Sequence, residues 1–320
     1  MAWDVAGGSS TVTVSEYMSF GAHKMFSDAI SGAIQLPVRE TPEFNTTDFS
    51  KWVNVVSWKA TPSDSKDDDL KGIQDAIDQG KPIVYLPQGS YEVSNTIVVR
   101  GSVQKVMGLS ASISKKEGFP AGAPLIRFDG GAPDFTILQN LRLGGDVQHN
   151  SAKTLVITNT DINGAYGNTA KGTGNLYLED TIGPAPFNIQ TPQRVWARQL
   201  NVEFHGGEEV DYITNNKSTL WILGYKTEGI KGSLLVNNGG WAELLGGFFY
   251  PNNGNGTDPM IINNGGSLSA SYKKDDLTGN NYPIHVRDIR GSDVRDFKSS
   301  DAPDANNCAL YSGAKAKYTP

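Results

Sequence analysis

Cysteine is almost absent from this sequence: Cys308 stands alone among 320 residues, which excludes an internal disulfide. Histidine is nearly as scarce. His23, His149, His205 and His285 are scattered without metal-ligand spacing, so neither a metal nor another cofactor is expected. No apolar run approaches the ~20 residues of a membrane-spanning helix, and no membrane partner is expected. Charged residues make up only 19%, the net charge is −6, and the basic stripe that nucleic acid requires is missing. The opening residues, Met1 to Gly8, lack the basic region and apolar core of an export leader. The expectation is a chain cut from something longer, with the alternating residues 9–20 belonging to a strand that begins in mid-structure.

What the chain does have is glycine (36 residues) and asparagine, the latter in pairs at Asn215-Asn216, Asn237-Asn238, Asn252-Asn253 and Asn263-Asn264. Both residue types tolerate positive φ, so a chain rich in them is rich in tight corners. Between Phe135 and Lys274 a short apolar phrase keeps returning, with starts at Phe135, Thr154, Asn175, Val195, Leu220, Ala242 and Ser267. The starts lie 19, 21, 20, 25, 22 and 25 residues apart. Each phrase is too short for an amphipathic helix and fits a strand closed by a turn. A period of that length marks a solenoid whose repeats bury their faces only by stacking. The expected fold is all-β, a single-stranded parallel β-helix with a short capping α-helix.

Residues 1–36 read as one or two strands with a short helix from Phe26 to Ile34, remnants of a preceding half packed on the main body. Residues 37–66 form a connector, made extended by Pro37 and Pro42, and a first strand from Trp52 to Trp58. The β-helix itself covers 67–300, with its capping helix at 69–79, and 301–320 form a C-terminal tail. In the helix Leu70, Ile73 and Ile77 share one face, Asp68 or Asp69 caps the start, and Gly80 supplies a left-handed stop. The acidic residues 64–69 lack the spacing and central glycine of a calcium loop and read as a solvated helix cap.

The segment Asp67-Asp-Asp-Leu-Lys-Gly, Ile73-Gln-Asp-Ala-Ile77, Gly80, Val84-Tyr-Leu-Pro-Gln-Gly-Ser-Tyr91 resembles the start of the pectate-lyase-like right-handed parallel β-helix superfamily. Downstream, the runs from Trp196 to Glu203 and from Leu220 to Glu228 resemble the second half of glycoside hydrolase family 55. That resemblance covers about residues 37–275. It implies a secreted exo-β-1,3-glucanase-like enzyme acting on a polysaccharide, whose first β-helix half is missing from this chain. It also implies inverting hydrolysis with a glutamate of the second helix as proton donor.

Trp196 and Trp221 each precede a glutamate by seven residues, at Glu203 and Glu228. With the coils in register, the two carboxylates stack on one face, and close carboxylates raise each other's pKa. Inversion needs a second carboxylate roughly 6.5–9.5 Å away, and Glu243 and Glu179 are the available partners. Glu228 is the first choice for the acid, followed by Glu203 and Glu243. Trp196, Trp221, Trp241 and Tyr225 are candidate platforms for sugar rings, Phe248, Phe249 and Tyr250 form a second aromatic group, and Arg198, Gln199, Asn201 and Lys226 are candidate polar contacts. Other readings stay open. Equivalent positions recur in any solenoid without catalytic purpose, Lys226 can neutralise Glu228, and Asn201 fits an internal amide ladder.

Asn159-Thr160-Asp161, Glu179-Asp180 and His205-Gly206 resemble the ordered motifs of polygalacturonase-like hydrolases, family 28, which makes a pectin-degrading enzyme an alternative. The third possibility is a glycan-binding or structural β-helix that does not cleave.

Overall fold

The computed structural model describes residues 2–3, 12–13, 21–63, 68–183, 185–203, 209–229, 231–251, 258–275, 281–302 and 308–319. The recurring phrases stack as strands in a parallel β-solenoid of about 9 turns. Two long sheets form its walls, one of 13 strands and one of 10. All their ladders are parallel except at the C-terminal end, where Cys308–Ser312 and Asp293–Lys298 each add antiparallel to the last coil. At the other end Leu70–Ile77 covers the first coils. Asp68 accepts from the backbone N–H of Leu70, Asp69 is buried and accepts from Thr61 and Glu92, and Gly80 makes the left-handed stop at φ 71°.

The strands of the larger sheet turn a corner. Asn140, Asn159, Asp180, Gln199, Gly224 and Gly246 all have φ between 47° and 79°, one per coil. Asparagine and glycine accept this backbone at least cost, which is why they recur there. Each corner splits a coil into a first leg and a second leg that face different directions. Asn159 is therefore a corner residue, and that position explains the Asn-Thr-Asp run without catalysis.

The ladders fix what spacing alone left open by one residue. Leu155 pairs with Leu176, Leu176 with Val195, Val195 with Leu220, Leu220 with Ala242 and Ala242 with Leu268. The phrases at Phe135, Thr154, Asn175 and Ser267 thus begin one residue ahead of those at Val195, Leu220 and Ala242, a slip that would turn every side chain to the opposite face.

The asparagine pairs form two ladders. Inside, Asn215 donates to Asn237 (2.8 Å), Asn237 to Asn263 (2.9 Å) and Asn263 to Asp288 (3.1 Å). Beside it, Asn264 donates to Asn238 and Asn238 to Asn216. Asn252-Asn253 lies outside the described residues. Asn201 is not part of either ladder; it registers with Ile182 and Lys226.

Three local expectations change. Residues 26–34 are turns and bends rather than a helix, because they are drawn out along the solenoid. Trp52–Asn54 is a strand, but Val55–Trp58 closes into a 3-10 turn, with the Asn54 side chain accepting from the Val56 N–H. The capping helix is shorter than 69–79.

The N-terminal segment from residue 21 to 47 is a strap running the length of the solenoid. It starts at the C-terminal end, where the His23 N–H donates to Leu310, and passes Ala314 at Ile30. It then crosses successive earlier coils and reaches Lys105 at Asn45. Ile34 and Leu36 pack against its outer wall and are buried there.

Candidate functional site

The strap covers the outward face of the first legs. One register column there runs Trp52, Ile83, Lys105, Ile137, Val156, Tyr177, Trp196, Trp221, Glu243 and Ser269. Period-2 alternation turns these side chains out of the lumen, and the strap then buries most of them in a second apolar core. Tyr177 stacks on Trp196 at 4.9 Å, and the Trp196 indole donates to the Pro37 carbonyl at 2.7 Å. Trp196 and Trp221 are 4% and 3% exposed, so neither presents a face on which a sugar could stack. Trp241 is half-buried against Tyr318, at 5.2 Å between rings. Arg198 donates to Thr41 and to the Arg39 carbonyl and lies over the Trp221 ring.

Glu243 was the third acid candidate. It is buried and accepts the backbone N–H groups of Gln35 and Leu36, both at 2.9 Å. Those N–H groups would otherwise be orphaned beneath the strap, and a carboxylate with two oxygens satisfies the pair. Its place on the first leg, beneath the strap, separates it from Glu228 on the second. Glu179 is also a first-leg residue, at 4.0 Å from Arg198. Neither partner expected for inversion therefore shares the face of Glu228.

Glu203 and Glu228 do come together, as the aligned tryptophans required. Trp196 registers with Trp221 and Asn201 with Lys226, which brings the two glutamates level on the second legs. Between them sits Lys226, whose ammonium donates to Glu203 and, at 2.6 Å, to Glu228. Tyr250 also donates to Glu228, and that bond raises the pKa of its phenol. Burial acts to lower the pKa of Lys226, but the bonds to Glu203 and Glu228 outweigh it and the pKa is raised. The carboxylates share one cation and lie within two hydrogen-bond lengths of each other, closer than an inverting pair that must admit water. Lys226 thus bridges both glutamates.

Tyr225 faces the lumen. It is fully buried, donates to the Leu234 carbonyl at 3.0 Å, and burial holds its phenol well above its ordinary pKa. Phe249 is likewise interior, whereas Phe248 is 37% exposed. Gln199 is exposed at a corner.

Among the described residues one open concavity lies on the second legs, towards the N-terminal coils. Two adjoining hollows of about 680 and 660 Å³ share Ser112, Arg142, Asp161 and Ile182. Ser112 registers with Arg142, Arg142 with Asp161 and Asp161 with Ile182, so the groove runs across stacked coils. Arg142 donates to Asp161 at 3.1 Å. Glu203 closes one end and Asp180 lies in the other hollow. Of the sequence candidates, Glu203, Asp180 and residues 159–161 line it. Arg142 and Ile182 were missed, and the signal for them is their fixed distance beyond the corner residues Asn140 and Asp180.

The second motif set does not align. Thr158 registers with Glu179 and Asp161 with Ile182, so the Glu179-Asp180 pair falls level with the corner, short of Asp161. His205 lies outside the described residues.

No protein-family model matches the chain, and no curated protein matches it. Among solved structures it is similar to one described as Geobacillus virus E2 - ORF18, at a TM-score of 0.35 and 14% identity. That likeness covers 75% of this chain and 61% of the viral protein, so the chain spans about three-fifths of the structure it matches.

Proposed function

We propose that the protein is a carbohydrate-active solenoid that holds a neutral glycan, of the β-glucan kind, along the second-leg groove. The observation that carries this reading is the groove itself. It is elongated, crosses several coils, and mixes hydroxyls, carboxylates and a guanidinium with exposed apolar side chains such as Leu109 (60% exposed) and Ile182 (48%). A sugar ring offers hydroxyls on its rim and C–H faces above and below, which is the complement of such a lining. Asp161, Asp180 and Glu203 outnumber Arg142 there, so a polyuronate would meet like charge. That charge balance favours a neutral polymer over the pectin-degrading alternative.

Binding without cleavage fits the carboxylates better than hydrolysis does. A general acid has to reach the glycosidic oxygen it protonates. Asp161 is held by Arg142, and Glu203 and Glu228 are both held by Lys226. Hydrolysis in the manner of a family 55 glucanase is the second reading, and it rests on Glu203 lining the groove. Affinity electrophoresis and calorimetry with laminarin and polygalacturonate, beside an assay for released reducing sugar, test both. Retardation by laminarin without sugar release is the expected result. No affinity for laminarin, or a preference for polygalacturonate, overturns the proposal.

A further inference from the structure

The column beneath the strap contains one charge that the strap satisfies and one that it leaves short. Glu243 receives two backbone N–H groups. Lys105, at the N-terminal end of the same column, is 5% exposed and donates to the neutral amide oxygen of Asn45 at 3.2 Å. Among the described residues no carboxylate lies within ion-pair distance of its ammonium. Glu43 is the acid that acts on it by charge, yet Glu43 is exposed and accepts from Asn45. An ammonium has three N–H donors, and burying it without a counter-charge is costly. Burial accordingly lowers the pKa of Lys105.

Beside this lysine is a hollow of about 620 Å³, large enough for a ligand of one or two rings. Phe44 and Met107 give it apolar walls, Gln139 and Thr46 add polar groups, and among the described residues no acid lines it, Glu43 and Glu179 lying in a smaller adjoining hollow. Trp52 lines it too, and its indole N–H is buried without an acceptor among the described residues. The site therefore has a surplus of donors and a deficit of negative charge.

We propose that this hollow binds a small carboxylate-bearing ligand with a ring body, its carboxylate paired with Lys105 and its ring held between Phe44 and Met107. A carboxylate supplies the ion-pair contact that Glu43 does not make and accepts the N–H groups that Asn45 leaves over. The site is separate from the second-leg groove, so the two proposals stand or fall independently.

The test uses the whole chain, titrated by calorimetry and thermal denaturation with benzoate and with glucuronate, against benzyl alcohol and glucose as neutral counterparts. Benzoate and glucuronate separate an aromatic from a sugar-acid ligand. At least one carboxylate should bind and raise Tm, with its neutral counterpart at least tenfold weaker. Lys105→Met should abolish that preference while melting no lower than the parent, because a buried and poorly paired charge has been removed. Phe44→Ala should weaken binding and keep the preference for the carboxylate. Equal binding of neutral and charged probes, unchanged affinity in Lys105→Met, or no binding of either carboxylate would each overturn the proposal.

Discussion

The first and second legs of each coil obey the same alternation, yet their outward faces have opposite fates. On the first legs the strap turns the outward column into a core, with Tyr177, Trp196 and Trp221 at 5%, 4% and 3% exposure. On the second legs the outward column, which includes Arg142, Asp161, Ile182, Asn201, Lys226 and Phe248, stays open to solvent. The lesson is that pointing away from a solenoid's lumen is not the same as pointing at a ligand. Tyr177, Trp196 and Trp221 lie on the outward face that is covered, and Arg142, Asp161 and Lys226 on the one that is not.

Truncating one aromatic under the strap should break this contrast most sharply. Trp221→Ala should cost about 3–5 kcal/mol, the usual range for emptying a large buried site, read as a shift in the urea midpoint. A loss below 1 kcal/mol would mean that the strap does not cover this face in solution. Glu243→Ala should cost roughly 2–4 kcal/mol, since two buried N–H groups lose their acceptor. It should also open residues 30–40 to proteolysis at a rate the parent does not show. A mutant as protease-resistant as the parent would remove Glu243 as the clamp.

The lumen supplies a third environment for comparison. His149 is fully buried, contacts the Lys153 carbonyl, Tyr166 and Gln193, and has its pKa lowered by burial from 6.5 to about 4. The unfolded chain therefore binds a proton between these values that the folded chain refuses. Stability should fall as pH drops from about 6.5 towards 4 and flatten below, a loss of about 3 kcal/mol from this residue. Comparing urea midpoints of the parent and His149→Gln across that window checks it; parallel curves would show that His149 is not responsible.

The smallest effects on stability belong to the open face. Ile182→Ala and Arg142→Ala should each change stability by less than about 1 kcal/mol and yet weaken laminarin binding. Glu228→Gln should leave the fold intact, because Lys226 keeps Glu203 as a partner. If the chain does release sugar, the same substitution should abolish that turnover. A variant that hydrolyses at the parental rate excludes Glu228 as the acid.

Much of the architecture could be read from residues. The returning phrases gave the solenoid, Leu70, Ile73 and Ile77 gave the cap, and the spacing from Trp196 to Glu203 and from Trp221 to Glu228 placed two glutamates level. The candidate site was far less legible. Trp196, Arg198 and Glu243 carry the chemistry of sugar recognition, but a segment more than 150 residues earlier in the chain occupies them. Nothing local in their sequence records that contact. Arg142 and Ile182 were passed over because a groove arises from the stacking of unlike coils, and no single repeat contains it.

By itself the sequence determined the period, the corners and the alternation, because these follow from local backbone preference and from the need of short strands to bury one face. Tertiary structure decided which outward face is closed, which glutamate is a clamp, and where Lys105 is buried beside the neutral amide of Asn45. Those outcomes depend on where a strap of extended chain comes to rest, and its backbone hydrogen bonds are satisfied by residues far away in the sequence.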